Sequence, residues 1–268
     1  MIFLAILFGT MTAGIGSVWV AAWLSFGVMS RYTQHMLSLA AGALLATSFM
    51  HLLPEAFAST VSPHDLFLTL LVGLVFFFLL DKAELWHHGH EHGGSQDHAH
   101  THAHSDHHGH HGHSHHDHAA GGWAVLAGDS VHCFGDGILI ASAFMADIRL
   151  GAMAALAVMA HEVPHHMGDL AVLRQGQGNR KAAVLKVSLA GAVTALGGAL
   201  GYVLVESLRP ALPYFLVMAS SSFVYVALAD LIPQLQKRLS ARETAAQILW
   251  LAIGMGSVGL VGGWMHGL

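Results

Sequence analysis

Apolar stretches of about 20 residues recur along almost the whole chain, and this pattern decides its fold class. A helix that crosses a bilayer needs roughly 20 apolar residues, because about 30 Å must be covered at about 1.5 Å per residue. Charged residues make up only 10% of the 268 positions, against about a quarter in soluble domains. We therefore predict an all-α, polytopic membrane protein with eight transmembrane helices in one bundle. The predicted spans are 2–24, 35–57, 66–86, 123–146, 150–173, 186–208, 213–235 and 245–265.

The distribution of Lys and Arg predicts how these spans are oriented. When each basic residue is assigned to its nearest loop, nine of the eleven fall on one side, and only Arg149 and Arg209 fall on the other. Cytoplasmic loops carry the excess of Lys and Arg in membrane proteins. We therefore expect both termini to face outward and the loop between the third and fourth spans to face the cytosol. The nine are Arg31, Lys82, Arg174, Arg180, Lys181, Lys186, Lys237, Arg238 and Arg242.

Ionisable residues cluster near the middle of the fourth and fifth spans, where each costs about 2.5 to 3.5 kcal/mol on insertion scales. Several of them are four positions apart, so they share a helix face. Neutral imidazole, carboxylate and thiolate are ligands for a zinc-like divalent ion. We therefore predict a metal site with room for two neighbouring ions. Its candidate ligands are His132, Cys133, Asp136, His161, Glu162 and His165, with Asp129, His166 and Asp169 beside them in the ion pathway.

These groups also have structural interpretations. A single buried His or Asp is often a packing residue whose polar atoms are satisfied by its neighbours, whereas nine polar groups at one depth favour an ion. Cys133 is left open, because a lone buried cysteine also serves as a small apolar packing residue. Pro164 frees the carbonyl of Ala160 and predicts a looser helix beside the cluster, although neighbouring helices also accommodate such prolines.

Polar residues in two further spans are interpreted separately. His51 and Glu55 share a helix face near the outer end of the second span, where they could form an entrance for the ion or simply meet solvent. Asp230 lies near the cytoplasmic end of the seventh span, where a carboxylate reaches water. We do not predict Asp230 as a ligand.

The segment 87–118 holds 16 of the 24 histidines, interspersed with Gly, Ala, Ser and Asp. Such a composition has almost nothing to bury, so we predict a disordered loop. Its imidazoles would form a low-selectivity reservoir for zinc, nickel or copper, with protons competing below about pH 6.5. The alternative interpretation is a solubilising linker. In neither case is this segment itself a pathway across the membrane.

Residues 161–165 read His-Glu-Val-Pro-His, which matches the H-E-x-x-H pattern of zinc metalloproteases. An intramembrane metalloprotease is therefore the alternative function. A proline inside this motif disfavours the regular helix on which such a motif lies. In addition, the fourth span supplies a whole second set of ligands. A catalytic site needs one fixed zinc with an open position for water. We therefore favour a non-enzymatic, ion-conducting role, and the sequence contains no Walker motif that would predict coupling to ATP.

The same residues resemble the ZIP family of zinc and iron transporters. The fourth-span pattern of that family, His-Asn-Phe-x-Asp-Gly, is similar to residues 132–137, and its fifth-span pattern, His-Glu-x-Pro-His-Glu-x-Gly-Asp, is similar to residues 161–169. The second-span His-Leu-Leu-Pro-Glu at 51–55 and the seventh-span segment 225–233 also resemble it. The likeness covers essentially the whole chain and is closest to the histidine-rich subfamily.

The resemblance implies uptake of a divalent metal toward the cytosol, by alternating exposure of a binuclear site near the middle of the membrane. It further implies a homodimer in the inner (plasma) membrane of a bacterium, surrounded by lipid and without a cofactor. The small net charge of -5 does not suggest a nucleic-acid partner. Zinc is the expected cargo, with Fe²⁺, Cd²⁺, Mn²⁺ and Co²⁺ as further candidates. By position, the first ion would be bound by His132, Asp136, His161 and His165, and the second by Cys133, Asp136, Glu162 and His165, so that Asp136 and His165 bridge.

Two positions depart from the family pattern. Cys133 stands where the family usually has Asn, and His166 stands where the subfamily usually has Glu. A thiol and an additional imidazole make the second site softer. We therefore expect a preference for zinc or cadmium over iron or manganese, because softer ligands select softer ions.

Overall fold

The described part of the chain is helical almost throughout and contains no strand, so the predicted all-α fold is confirmed. Helices suit apolar spans because they satisfy every backbone polar group within the segment. The computed structural model describes residues 1–26, 33–89, 117–177, 179–235 and 240–266. Its α-helices are α1 (Ile2–Met11), α2 (Ser17–Phe26), α3 (Thr33–Thr47), α4 (Leu53–Phe57), α5 (Pro63–Gly89), α6 (Asp117–Ala146), α7 (Ile148–Gln177), α8 (Arg180–Ser207), α9 (Leu212–Tyr225), α10 (Ile232–Leu235) and α11 (Ala241–His266).

Three π-helical turns join some of these helices into longer rods. The turn Thr12–Gly16 links α1 to α2, Ser48–Leu52 links α3 to α4, and Val226–Leu231 links α9 to α10. With α5, α6, α7, α8 and α11, the described residues thus form eight rods, one at each predicted span. The π turns were not predicted from the sequence. Each inserts one residue into the helical ladder and changes the direction of the side chains that follow.

Five helical segments of the described residues are long and apolar enough to cross a membrane. The 30-residue helices α6 and α7 have the length for a crossing, but they carry the ionisable cluster. Five apolar crossings fit a polytopic membrane protein, while the count of eight and the orientation of the termini remain predictions. The five are Ile2–Ser25, Gln34–Phe57, Pro63–Lys82, Arg180–Ser207 and Arg209–Ala229.

The predicted histidine-rich loop falls mostly outside the described residues. Helix α5 continues to Gly89 and α6 already begins at Asp117, so both edges of the segment 87–118 are helical. Residues 90–116, to which the prediction of disorder chiefly applies, lie outside the described residues.

Paired glycines allow α6 and α8 to pack closely. A Cβ atom on Gly137 would clash with the carbonyl oxygen of Thr194, and a Cβ atom on Gly197 would clash with that of Phe134. Gly42 makes a similar approach between α3 and α11. Small residues are common where membrane helices approach each other, because they let the backbones come close. The contact with α8 fixes the position of α6, on which four of the nine predicted ligand and pathway residues lie.

Helix α5 presents an apolar face away from the bundle. Leu68, Leu71, Val75 and Leu79 follow one another at helical spacing and are all exposed. In a soluble protein, so long a row of exposed apolar side chains would promote aggregation. On a membrane helix it is the surface expected beside lipid acyl chains.

Candidate metal centre

The predicted ligands of the fourth and fifth spans meet where α6 packs against α7. Asp129, Cys133 and Asp136 lie on one face of α6, because three and four residues correspond to about one helical turn. α7 remains continuous through Pro164, which lies beside the cluster. The looser helix predicted there is therefore not seen as a break. The buried members of the cluster are Asp129, Cys133, Asp136, His161, Glu162, His166 and Asp169.

The first donor set consists of His132, Asp136, His161 and Glu162, so it offers only nitrogen and oxygen. Asp136 Oδ2 lies 3.2 Å from His161 Nε2 and 3.8 Å from His132 Nε2. Glu162 Oε1 lies 3.1 Å and 3.4 Å from the same two nitrogens. Ligand atoms about 2.0 Å from a tetrahedral ion are about 3.3 Å apart. The set therefore has the dimensions that a zinc-sized ion requires.

The second donor set consists of Asp129, Cys133, Glu162 and His166, and it adds sulfur. Cys133 Sγ lies 3.6 Å from Asp129 Oδ1 and 3.7 Å from Glu162 Oε2. His166 Nε2 lies 3.1 Å from Glu162 Oε2 and 3.6 Å from Asp129 Oδ1. The longer separations around sulfur match the longer zinc–sulfur bond of about 2.3 Å.

Glu162 belongs to both donor sets. Its Oε1 atom faces His132 and His161, whereas its Oε2 atom faces Cys133 and His166. One carboxylate can therefore bind two ions at once, one through each oxygen. The resemblance to the ZIP family implied that Asp136 would bridge, but in the structure Asp136 lies in the first set only.

His165, the other residue implied to bridge, lies in a third group with Asp129 and Asp169. Its Nε2 atom is 3.7 Å from Asp129 Oδ1 and 3.8 Å from Asp169 Oδ2. The imidazole stacks on that of His132, with ring centres 5.5 Å apart, and its side chain is 39% exposed. The structure therefore places His165 at the exposed edge of the cluster.

A cavity of about 370 Å³ opens onto this edge. His132 and His161 of the first donor set line it, together with His165 and Asp169 of the third group. Asp81 of α5 also lines this cavity and accepts a hydrogen bond of 3.0 Å from the Tyr225 hydroxyl of α9. The second donor set contributes no lining residue among those described. The first set is thus open to the cavity and the second is closed.

His51 and Glu55 lie in a different cavity of about 500 Å³, together with Asp147 and Arg149. They do not join the donor sets described above. The two cavities lie toward opposite ends of the α3–α4 rod, because Leu37 lines the first and His51 lines the second. Fourteen residues of helix span about 21 Å, so the two cavities are well separated along this rod.

Sequence reasoning missed two residues of this region, Asp81 of the first cavity and Ser17. The hydroxyl oxygen of Ser17 is 3.0 Å from Nδ1 of His166, although the two residues are 149 positions apart in the chain. A serine in an apolar span gives no signal of its own, because serine hydroxyls commonly bond the carbonyl one turn earlier. Only the packing of α2 against α7 brings this one to an imidazole.

The sequence of the whole chain is similar to known zinc transporters. A family profile described as "ZIP Zinc transporter" matches residues 1–262. Human (Homo sapiens) zinc transporter ZIP4 is 36% identical over 143 residues, which are 53% of this chain but only 21% of that protein. Zinc transporter ZIP13 of Pongo abelii is 28% identical over 276 residues, covering 93% of this chain and 75% of its own length. Zinc transporter foi of Drosophila melanogaster is 32% identical over 140 residues, 52% of this chain and 20% of that protein.

These similarities agree with the predicted family and give no support to the protease alternative. The matching family is one of transporters rather than enzymes. Together with the five apolar helices, the match indicates an integral, multi-pass membrane protein. The profile spans nearly all of the sequence from which the resemblance was inferred, including both helices of the metal centre, and the chain belongs to the ZIP zinc transporter family.

Proposed function

We propose that this protein carries Zn²⁺ across the membrane toward the cytosol through a binuclear site formed by the two donor sets. The observation that carries the proposal is the double contact of Glu162, whose two carboxylate oxygens face different donor sets. A buried carboxylate without a cation is costly in a membrane. Two sets that share one carboxylate let an ion move from one to the other without returning to water.

The alternation between two exposures is supported by the two cavities. The cavity beside His165 reaches the first donor set, whereas the cavity beside His51 does not. In the orientation predicted from Lys and Arg, the first of these opens toward the cytosol. We propose that this is the inward-facing state, and that ions enter past His51 and Glu55 in an outward-facing state.

The remaining features of the transporter are proposed from the family resemblance and from the amino-acid composition. Eight spans with both termini outside, a homodimer and a location in the inner (plasma) membrane follow from the resemblance and from the positive-inside rule. The histidine-rich segment 87–118 would buffer ions that leave the first cavity, because α5 leads directly from Asp81 into it. Zinc and cadmium would be preferred over iron and manganese through Cys133 and His166.

Zinc uptake into proteoliposomes tests this function. We expect the intact protein to accumulate radioactive zinc. His161→Ala should abolish this accumulation, because the His161 imidazole contacts both carboxylates of the first donor set, Asp136 and Glu162. The matched control is Glu206→Gln, which removes an exposed carboxylate paired with Arg209 at the end of α8. It should transport like the parent protein.

A peptide-cleavage assay on the same preparations distinguishes a transporter from the alternative function, an intramembrane metalloprotease. Absence of zinc flux in the intact protein, together with metal-dependent cleavage that Glu162→Gln removes, would mean that residues 161–165 act as a protease motif. Zinc flux without cleavage supports the transporter.

A further inference from the structure

His166 is held at both ends of its imidazole ring. The residue is fully buried, and its Nε2 atom faces the carboxylates of Glu162 and Asp129 at 3.1 and 3.6 Å. Its Nδ1 atom faces away from the donor set, toward the hydroxyl of Ser17 on α2. Ser17 is itself fully buried. A helix that carries none of the metal ligands thus contacts a ligand that belongs only to the second donor set.

The hydrogen on the Ser17 hydroxyl can be located by elimination. The Oγ atom lies 2.6 Å from the carbonyl oxygen of Gly14 and 3.0 Å from His166 Nδ1. A carbonyl oxygen only accepts, and a hydroxyl has one hydrogen to donate. At 2.6 Å that hydrogen must lie between Ser17 and Gly14. The Ser17 oxygen is then the acceptor toward His166, so the imidazole is the donor and carries a proton on Nδ1.

We infer that Ser17 is a positioning residue for transport: it fixes His166 with its proton on Nδ1 and so leaves Nε2 as the atom that binds metal in the second donor set. This inference rests on the proposed function only for the identity of the cation. An imidazole has two nitrogens and can present either of them, and the nitrogen that binds metal is set by the hydrogen bond of the other. A carboxylate in the same position would need no such partner.

The protonation of His166 can be read directly by nitrogen NMR of the full-length, ¹⁵N-histidine-labelled protein without metal. The His166→Gln variant identifies the resonances of this ring among the 24 histidines. We expect a proton on Nδ1 in the parent protein, retained when Zn²⁺ is added. A ring with bare Nδ1 and a proton only on Nε2 would overturn the inference. Because this measurement needs no transport, a failure of zinc uptake would overturn the proposed function and leave this result standing.

Metal binding gives the second test, because Cys133 is the single cysteine of the chain. Absorption from a thiolate–Co²⁺ bond therefore reports the second donor set and is blind to the histidine-rich segment. We expect Ser17→Ala to weaken Co²⁺ binding by a factor of about ten or more, as loss of an orienting partner does. Ser17→Thr keeps the hydroxyl and should restore the affinity.

Two controls separate positioning from a general loss of structure. Ser142→Ala removes another fully buried hydroxyl, which donates to the carbonyl of Ile138 on α6, and it should bind Co²⁺ like the parent protein. In a His166→Gln background, Ser17→Ala should cause no further loss, since the ring that it orients is gone. An undiminished Co²⁺ affinity in folded Ser17→Ala, or an equal loss in both backgrounds, would overturn the inference. If the Ser17 variants do not fold, the NMR measurement on the parent protein still tests the inference, because a bare Nδ1 atom would overturn it.

Discussion

The two donor sets are adjacent and share a carboxylate, but they differ in access and in chemistry. The first borders the cavity and consists of nitrogen and oxygen ligands, with the side chain of His132 26% exposed. The second is closed and contains the thiol of Cys133. We interpret this difference as a separation of tasks: the open set exchanges ligand water with the arriving or leaving ion, and the closed set discriminates between ions by softness.

Removing the shared carboxylate should have the largest effect. Glu162→Gln takes one negative charge from both donor sets at once. We therefore expect the variant to bind about two zinc ions fewer than the parent protein, whose histidine-rich segment is unchanged, and uptake to fall by a factor of about 100. Metal content by mass spectrometry of the purified protein and uptake in proteoliposomes measure both. A variant that retains either ion at the affinity of the parent would show that the two sets do not depend on one group.

A change confined to the first set should leave the second intact. Asp136→Asn removes a buried carboxylate that contacts His132 and His161, and we expect uptake to fall by a factor of about ten, equivalent to about 1.4 kcal/mol. Thiolate–Co²⁺ absorption should persist in this variant. Loss of that absorption would place Asp136 in the second set, as the resemblance to the ZIP family implied.

A change confined to the thiol should alter selectivity more than rate. Cys133→Ser keeps the size of the side chain but replaces soft sulfur by oxygen, so the preference for Zn²⁺ over Mn²⁺ should narrow by a factor of about five, or about 1 kcal/mol. Competition between the two ions during uptake measures the ratio. An unchanged ratio would assign Cys133 to packing, the interpretation left open by the sequence.

Removal of the histidine-rich segment should have the smallest effect on transport itself. Deletion of residues 90–116 leaves the described helices and both donor sets in place, so the initial rate of zinc uptake should stay within a factor of about two. In cells, the regulation of zinc uptake by external zinc should change more than the initial rate of uptake does. Complete loss of transport would contradict the reservoir interpretation.

The sequence predicted the helices of the metal centre better than the contacts between them. Ligand spacing of four residues identified the faces of α6 and α7, because that spacing is a property of a single helix. Which ligand of α6 meets which ligand of α7 depends on how the two helices are rotated against each other. Glu162 was therefore predicted as a ligand, but not as the residue shared by the two sets, and Asp129 and His166 were placed only in the pathway.

Contacts between distant segments were beyond sequence reasoning for the same reason. The bond between Ser17 and His166 joins two rods, and Ser17 directly follows a π turn in the first of them. No spacing rule relates positions 149 residues apart. The family, by contrast, was identified from short motifs alone, because these motifs record the chemistry of the ligands and do not depend on helix rotation.

The π-helical turn Thr12–Gly16 makes the helical geometry of the first rod matter more than its composition. Gly14 packs against α8, while Ser17, immediately after the turn, reaches α7. If the same residues formed an uninterrupted α-helix, everything after the turn would be rotated by about 100°. Apolar substitutions along the lipid-facing side of this rod should therefore be tolerated, whereas a substitution that converts the turn to regular α-helix would turn Ser17 away from His166 without changing any metal ligand.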